Sequence, residues 1–466
     1  MSSALKPFKT APLPDPPRFS KILGPSFILL GLGLGSGEII LWPYLVSNHG
    51  LGIIWGAVLG ITFQFFVNME IERYALIRGE SIFVGFARLS RYLPLWFIFS
   101  TFIGFGWPGI IASSAKIFGS ALGIENFQIL AIFLLIVIAT ILTLGPILYK
   151  TVETFQKTII FIGVPLLFLI TIAIATKSDY FALSGGVIGI GEGYRLLPSG
   201  ISLLTFLAAF AFSGAGGNLN LAQSFYIKEK GFGMGKYAHK IQSLLTGKVE
   251  EVELEGTTFI MDGHSVNNFH KWWKLINLEH FIVFLITGII SILLLALLAY
   301  STTFGKSGNV PGIDFIVNEA TSLGANIVPF ASTVFLILTG TMLFATQFAV
   351  MDSTSRIISE NLILTNPKKF STRIIPKAYY ATLWTQIIFG ICIFAIGFKD
   401  PRALIITQAV INAVAMFIHI GLTYFLNAKT LPKPLAPSTL RKTLILGIFI
   451  FFGVFSGYSL YSYFLN

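Results

Sequence analysis

The sequence predicts an all-α polytopic membrane protein of about eleven transmembrane helices. Ten of them are expected to form two five-helix units of opposite topology, with the first and sixth helices broken. Three observations predict it. Of 466 residues, 54% are hydrophobic and 11% charged, where soluble domains run at about 25% charged, and apolar runs of membrane-spanning length recur throughout. Residues 30–43, LGLGLGSGEIILWP, place four glycines and one carboxylate, Glu38, inside an apolar run. Residues 212–220, FSGAGGNLN, repeat the glycine break far downstream. A helix-interior Gly costs about 1 kcal/mol relative to Ala, and a carboxylate at the helix centre costs roughly 2.5–3.5 kcal/mol on insertion. Irregular, charged backbone at that depth is tolerated where it lines a cavity. A pair of such breaks, one in each half, points to a binding site between them.

Taken in order, residues 1–21 read as a flexible cytosolic arm carrying Lys6, Lys9 and Arg18. Apolar runs follow at 22–47, 52–78, 93–122, 127–147 and 152–176, making a first unit over 22–176. A second unit over 200–426 has runs at 200–226, 277–302, 327–357, 376–399 and 402–426, and a further helix covers 441–464. A polar cytosolic insertion at about 227–275 interrupts the second unit and includes Glu250, Glu251, Glu253 and Glu255. Its closing Lys271-Trp272-Trp273-Lys274 reads as an interfacial anchor. His264, His270 and Asp262 in the same insertion read as solvated, because their spacing matches no ligand set. The +11 net charge sits in alternate loops, as at Arg73, Arg78, Arg88 and Arg91. That pattern gives orientation, N-terminus inside and C-terminus outside, rather than a nucleic-acid surface. With no cleavable leader in the polar, Pro-rich start, the first helix is expected to direct insertion into the plasma (inner) membrane. A single cysteine, Cys392, excludes an intrachain disulfide and a multi-cysteine metal site.

Unwinding a helix exposes carbonyls at the end of its first half and amides at the start of its second, suited to cations and anions respectively. Glu38 adds hard oxygen ligands, fit for Mg²⁺, Mn²⁺, Ca²⁺ or Na⁺. The competing reading gives Gly35, Gly37 and Gly216 to close helix packing; Glu38 and Asn218 beside them favour a site. Gln408 and Asn412, one turn apart in span ten, face one side and serve either interhelical bonding or substrate. Lys116 in span three either snorkels or balances Glu38 or another buried acid. Asp352, with Ser353 and Thr354, either pairs with Arg356 or helps to hold a coupling ion. Lys157 either snorkels or takes a cation position.

Gly24-Pro25 followed after ten residues by Gly35-Ser36-Gly37-Glu38 resembles the first helix of the NRAMP (natural resistance-associated macrophage protein) family of divalent-metal transporters. There a Gly-Pro opening precedes Asp-Pro-Gly-Asn, so Gly35 takes the Asp position, Ser36 the Pro, Gly37 the Gly and Glu38 the Asn. In span six the family's Met-Pro-His-Asn-Leu is similar to Ala215-Gly216-Gly217-Asn218-Leu219, which puts Phe212 where the family contributes a backbone carbonyl. Thr407-Gln408-Ala409-Val410 resembles its Ser-Gln-Val-Val, giving Gln408 a polar site position. The departures are Gly35, Ala215 and Gly217 for Asp, Met and His, and Lys116 for a span-three glutamate. Losing the thioether removes the ligand that favours soft metals. The resemblance implies a divergent member of the LeuT-like inverted-repeat superfamily, working by alternating access with altered or absent proton coupling.

The expected function is secondary transport of a small cation, most of all a hard divalent one of Mg²⁺ or Mn²⁺ type. Glu38, Asn218 and Gln408 would ligate it with carbonyls of Leu34, Gly35 and Phe212, while Ser36, Gly37, Ser213, Ala215, Gly216, Gly217 and Asn412 complete the site. Gly35-Ser36-Gly37 also resembles the break with which amino-acid transporters of the superfold hold a carboxylate, so a small organic solute is the alternative. No catalytic motif or resident cofactor is expected, and the partners are the solute and the bilayer, with a working monomer.

Overall fold

The computed structural model describes residues 5–145, 147–238, 253–310, 312–367, 370, 374–397 and 401–465. Among them, nine helices are long and apolar enough to cross a membrane. They are Leu51–Arg78 (span two), Leu93–Leu122 (three), Phe127–Leu144 (four), Leu148–Ile174 (five), Gly263–Thr303 (seven), Pro329–Thr365 (eight), Ile375–Ala395 (nine), Ile411–Thr430 (ten) and Thr439–Ser462 (eleven). Pro25–Gly33 and Gly37–His49, bent by 42°, add span one as a tenth. Span six is not one helix at all. Its halves Leu203–Ala211 and Gln223–Lys230 are joined by a turn and a 3₁₀ segment, Gly217–Ala222. Counting it gives the eleven expected segments in the expected order.

Both expected breaks are present, with different shapes. The first half of span one stops at Gly33, and the chain resumes at Ser36–Leu41 with a π-helical turn closed by Trp42 N–H bonding Gly37 C=O. Such i→i+5 turns occur often at functional sites. In span six Gly214 and Gly216 have φ of 122° and 69°, a region glycine enters without Cβ strain. Span three is interrupted too, between helices Leu93–Phe105 and Gly109–Leu122, because Pro108 offers no N–H to Gly104 C=O four residues back.

Two expectations are corrected, one for the amino-terminal arm and one for the insertion. The arm from residue 5 onward is docked rather than flexible. Lys9–Thr10 pairs in parallel with Thr257–Thr258, Lys9 bridges Glu253 at 2.6 Å, and Phe8 lies between the guanidinium groups of Arg78 and Arg88 at 4.6 and 4.4 Å. The insertion ends sooner than expected, because Asp262 accepts Ser265 N–H at 2.7 Å and caps a helix running from Gly263 into span seven. The Trp pair on that helix packs against protein. Trp272 is buried and donates to Pro14 C=O at 2.7 Å, and Trp273 stacks under Arg73 and Arg441 at 3.9 and 5.0 Å. Glu250 and Glu251 lie outside the described residues. Removing the Phe8 ring deletes two cation–π contacts of about 0.5–1 kcal/mol each. Phe8→Ala should therefore speed limited proteolysis within residues 5–18, with the membrane core unaffected; unchanged cleavage would mean the arm is held elsewhere.

Candidate functional site

Spans one and six touch backbone to backbone. A Cβ on Gly33 would stand 2.8 Å from Gly214 Cα, and one on Gly37 would collide with Phe212 C=O. The close-packing reading therefore holds at Gly37, and at Gly35, where a Cβ would stand 2.7 Å from Thr346 Cγ2; the contacts at Gly33 and Gly37 bring the two breaks together. Trp42 Nε1 donates to Ser213 Oγ at 2.8 Å, tying the second half of span one to the turn of span six. A cavity of about 10 Å³, room for roughly one water, lies at this contact. Gly33, Gly37, Phe212, Gly214 and Ala215 border it from the breaks, Phe105 and Ile110 from span three, and Thr346 and Val350 from span eight.

Glu38 follows Gly37 in the π turn. It is fully buried at 0% exposure, and among the described residues no protein group hydrogen-bonds either carboxylate oxygen. A buried charge without partners costs several kcal/mol, so this carboxylate calls for a cation or a proton. Asn218 is also fully buried: its Nδ2 donates to Ser100 Oγ (2.8 Å) and Thr101 Oγ1 (3.0 Å), and its Oδ1 has no partner. Neither Glu38 nor Asn218 borders the cavity itself.

Other expected residues divide cleanly. Gln408 and Asn412 do share a face, and that face mends span three. Asn412 Nδ2 donates to Gly104 C=O at 3.1 Å, the acceptor Pro108 leaves open, and Gln408 Nε2 to Trp107 C=O at 2.9 Å. Asn412 Oδ1 is left without a partner among the described residues. A Cβ on Gly217 would collide with that same amide oxygen. Of the two readings of Lys116, the balancing of Glu38 is not seen: it bridges the exposed Asp314 at 2.8 Å and, among the described residues, nothing bonds Glu38. Asp352 does meet Arg356, whose Nε lies 2.9 Å from both carboxylate oxygens. Tyr226 and Tyr379 hydroxyls donate to Asp352 at 3.1 and 2.9 Å, and Arg356 also binds Glu229 of span six. Lys157 bonds Leu23 C=O, just ahead of span one, and Glu153 on its own helix.

Two positions escaped sequence reasoning. Gln64 of span two bridges the span-six break, Nε2 donating to Ala211 C=O and Oε1 accepting Gly216 N–H, both at 3.1 Å. The Thr346 hydroxyl lies 2.9 Å from both Gly31 and Leu34 carbonyl oxygens, at the open end of the first half-helix. Their signal was a lone amide or hydroxyl in mid-span, where such groups bond across helices.

Two interrupted helices in backbone contact, held inside a bundle of longer ones, define an all-α integral membrane protein of the LeuT-like fold. Similar solved structures include the Eremococcus coleocola manganese transporter in complex with an aromatic bis-isothiourea substituted compound, at TM-score 0.68 and 14% identity over 99% of this chain and 90% of that one. MhsT in complex with L-phenylalanine is similar at TM-score 0.51 and 13% identity, covering 94% of this chain and 98% of that one. No family model and no curated protein sequence matches. The fold expected from the resemblance is the fold observed.

Proposed function

We propose that the chain is a secondary transporter of a small hard cation, of Mg²⁺ or Mn²⁺ type, bound beside Glu38 between the two broken helices. The observation that carries this is the Glu38 carboxylate itself, fully buried and unpaired where the two breaks meet. The open oxygens of Asn218 and Asn412 and the Leu34 and Phe212 carbonyls supply further hard donors of the kind such ions prefer. Likeness to a manganese transporter in fold supports the same direction. A cavity with room for about one water suits an ion in a closed state rather than an organic solute. The route for protons implied by the resemblance is interrupted, because Gly35 and Gly217 cannot titrate and Lys116 is engaged with Asp314.

An amino acid remains the second reading, favoured by the apolar walls Phe105, Ile110, Phe212, Leu219 and Val350. Thermal unfolding of the purified protein against Mg²⁺, Mn²⁺, Ca²⁺, Na⁺ and a panel of amino acids separates the two. A ligand at 100 times its Kd stabilises by about 2.7 kcal/mol. Stabilisation by divalent ions, absent with amino acids, is the expected result; the reverse pattern would replace the cation reading with the organic one.

A further inference from the structure

A second buried polar centre lies where the amino-terminal half of span one meets spans two, six and seven. Gln223 Nε2 donates to Glu72 Oε1 at 2.8 Å. His280 Nδ1 stands 3.2 Å from that oxygen and 2.7 Å from Ser26 Oγ. The Ser26 hydroxyl in turn donates to Glu279 Oε2, and Gly24 N–H donates to Glu279 Oε1 at 3.2 Å. Glu279 thereby caps the half-helix that begins at Pro25, from a distant part of the chain. All of these side chains are at most 1% exposed.

The donors can be counted. Ser26 has one hydrogen and donates it to Glu279; with both carboxylates ionised, the tautomer that satisfies the contacts of His280 Nδ1 with Ser26 and Glu72 carries its hydrogen on Nδ1. His280 Nε2 is then a bare acceptor, held between the rings of Phe65 and Phe284 at 5.5 and 4.7 Å. Two open acceptors remain, His280 Nε2 and Glu72 Oε2, and among the described residues neither has a partner. A hydrogen on Nε2 would leave a charged ring with an unpaired donor between aromatic faces. On Glu72 Oε2 it neutralises a buried charge.

We propose that Glu72, His280, Ser26 and Glu279 form a proton-binding site, separate from the substrate breaks, in which Glu72 Oε2 takes the proton. The nearby cations are committed to other acids. Arg73 and Arg441 bind Glu70 at 2.9 and 3.1 Å, and Lys157 and Lys230 bind Glu153 at 2.6 and 2.7 Å. On the second half of span six, Lys228 faces Glu360 at 3.6 Å and Glu229 meets Arg356. The Tyr149 hydroxyl also faces Gly24. A metal does not fit the cluster, since no three His, Cys, Asp or Glu among the described residues are placed to hold one.

The placement links the proton to conformation. Ser26 and Gly24 belong to the first half of span one and Gln223 to the second half of span six, whereas Glu72 sits on the continuous span two. Hydrogen bonds to a carboxylate are roughly twice as strong as neutral ones. Protonating Glu72 therefore loosens its hold on His280, and through Ser26 on the half-helix. His280 also opens directly onto a second π-helical turn, Phe281–Ile286, a local irregularity common at working sites. What the proton does for flux rests on the transport reading; its binding does not.

The test uses full-length purified protein in lipid nanodiscs with no substrate. Acidification should bring up the infrared carbonyl stretch of a protonated carboxyl. Glu72→Gln should remove that component and Glu38→Gln should retain it; a band unchanged in Glu72→Gln, or lost only in Glu38→Gln, overturns the site. Should Glu72→Gln fail to fold, Ser26→Ala and His280→Gln must each shift the band, and no shift in either also overturns it. In proteoliposomes with a lumenal pH dye and a Mn²⁺ gradient, Glu72→Gln should lose Mn²⁺-driven proton movement. Persistence of that movement overturns the coupling. Absence of Mn²⁺ flux in the unaltered protein counts against the cation reading alone, and the infrared result still decides the proton site.

Discussion

Glu38→Gln is expected to abolish cation uptake while making the empty protein more stable. The two effects have one cause. A buried group without a partner costs about 1–3 kcal/mol, and more when charged, and Glu38 is fully buried with both oxygens unpartnered. Glutamine keeps the shape and removes the charge, so the closed, unloaded state should gain stability of that order. Among the described residues the same change removes the one formal charge at the junction of the breaks, and with it most of the attraction for a divalent ion. Thermal midpoints with and without Mg²⁺ or Mn²⁺, alongside uptake in proteoliposomes, read both. A merely structural glutamate would show the opposite sign, with stability falling in the variant. Unchanged uptake would take Glu38 out of the site.

The breaks themselves were legible because their chemistry is local. Glycine, a stray carboxylate and an amide inside apolar runs are unfavourable unless the backbone is opened there, and both openings fall where that pattern lies. What surrounds the breaks was not legible, because it depends on pairs distant in sequence. Gln64 reads as one polar residue among phenylalanines until its amide is seen spanning Ala211 and Gly216. Gln408 and Asn412 were correctly placed on one face, yet their target is set by Pro108 in span three, which frees the carbonyl of Gly104. Lys116 was left between snorkelling and balancing Glu38, because Asp314, its actual partner, sits in a connecting segment with nothing to mark it. Of the expected site residues, Gly37, Phe212 and Ala215 border the cavity, while Glu38 and Asn218 do not line it. The arm from residue 5 onward reads as mobile from composition alone, since a short Pro-rich segment gives no clue to the strand and arginines that receive it.

Arg356→Met should cost about 3–5 kcal/mol, the usual penalty for breaking a buried ion pair from one side. Arg356 is 1% exposed and binds two carboxylates at once, Asp352 on its own helix and Glu229 on the second half of span six. Methionine fills similar volume but leaves both acids buried in one place, where like charges repel and neither is hydrated. Tyr226 and Tyr379 still donate to Asp352, so the loss should fall mainly on Glu229 and on the contact between spans six and eight. That contact stands at the same end of the bundle as the docked arm, since Lys230, next to Glu229, bonds Leu23 C=O. Weakening it should favour states in which this end is open. The check is a double-mutant cycle: Glu229→Gln combined with Arg356→Met should recover a large part of the stability lost by Arg356→Met alone. A single-variant cost below about 1 kcal/mol, the range of exposed ion pairs, would mean that water already reaches these acids and that the closure lies elsewhere.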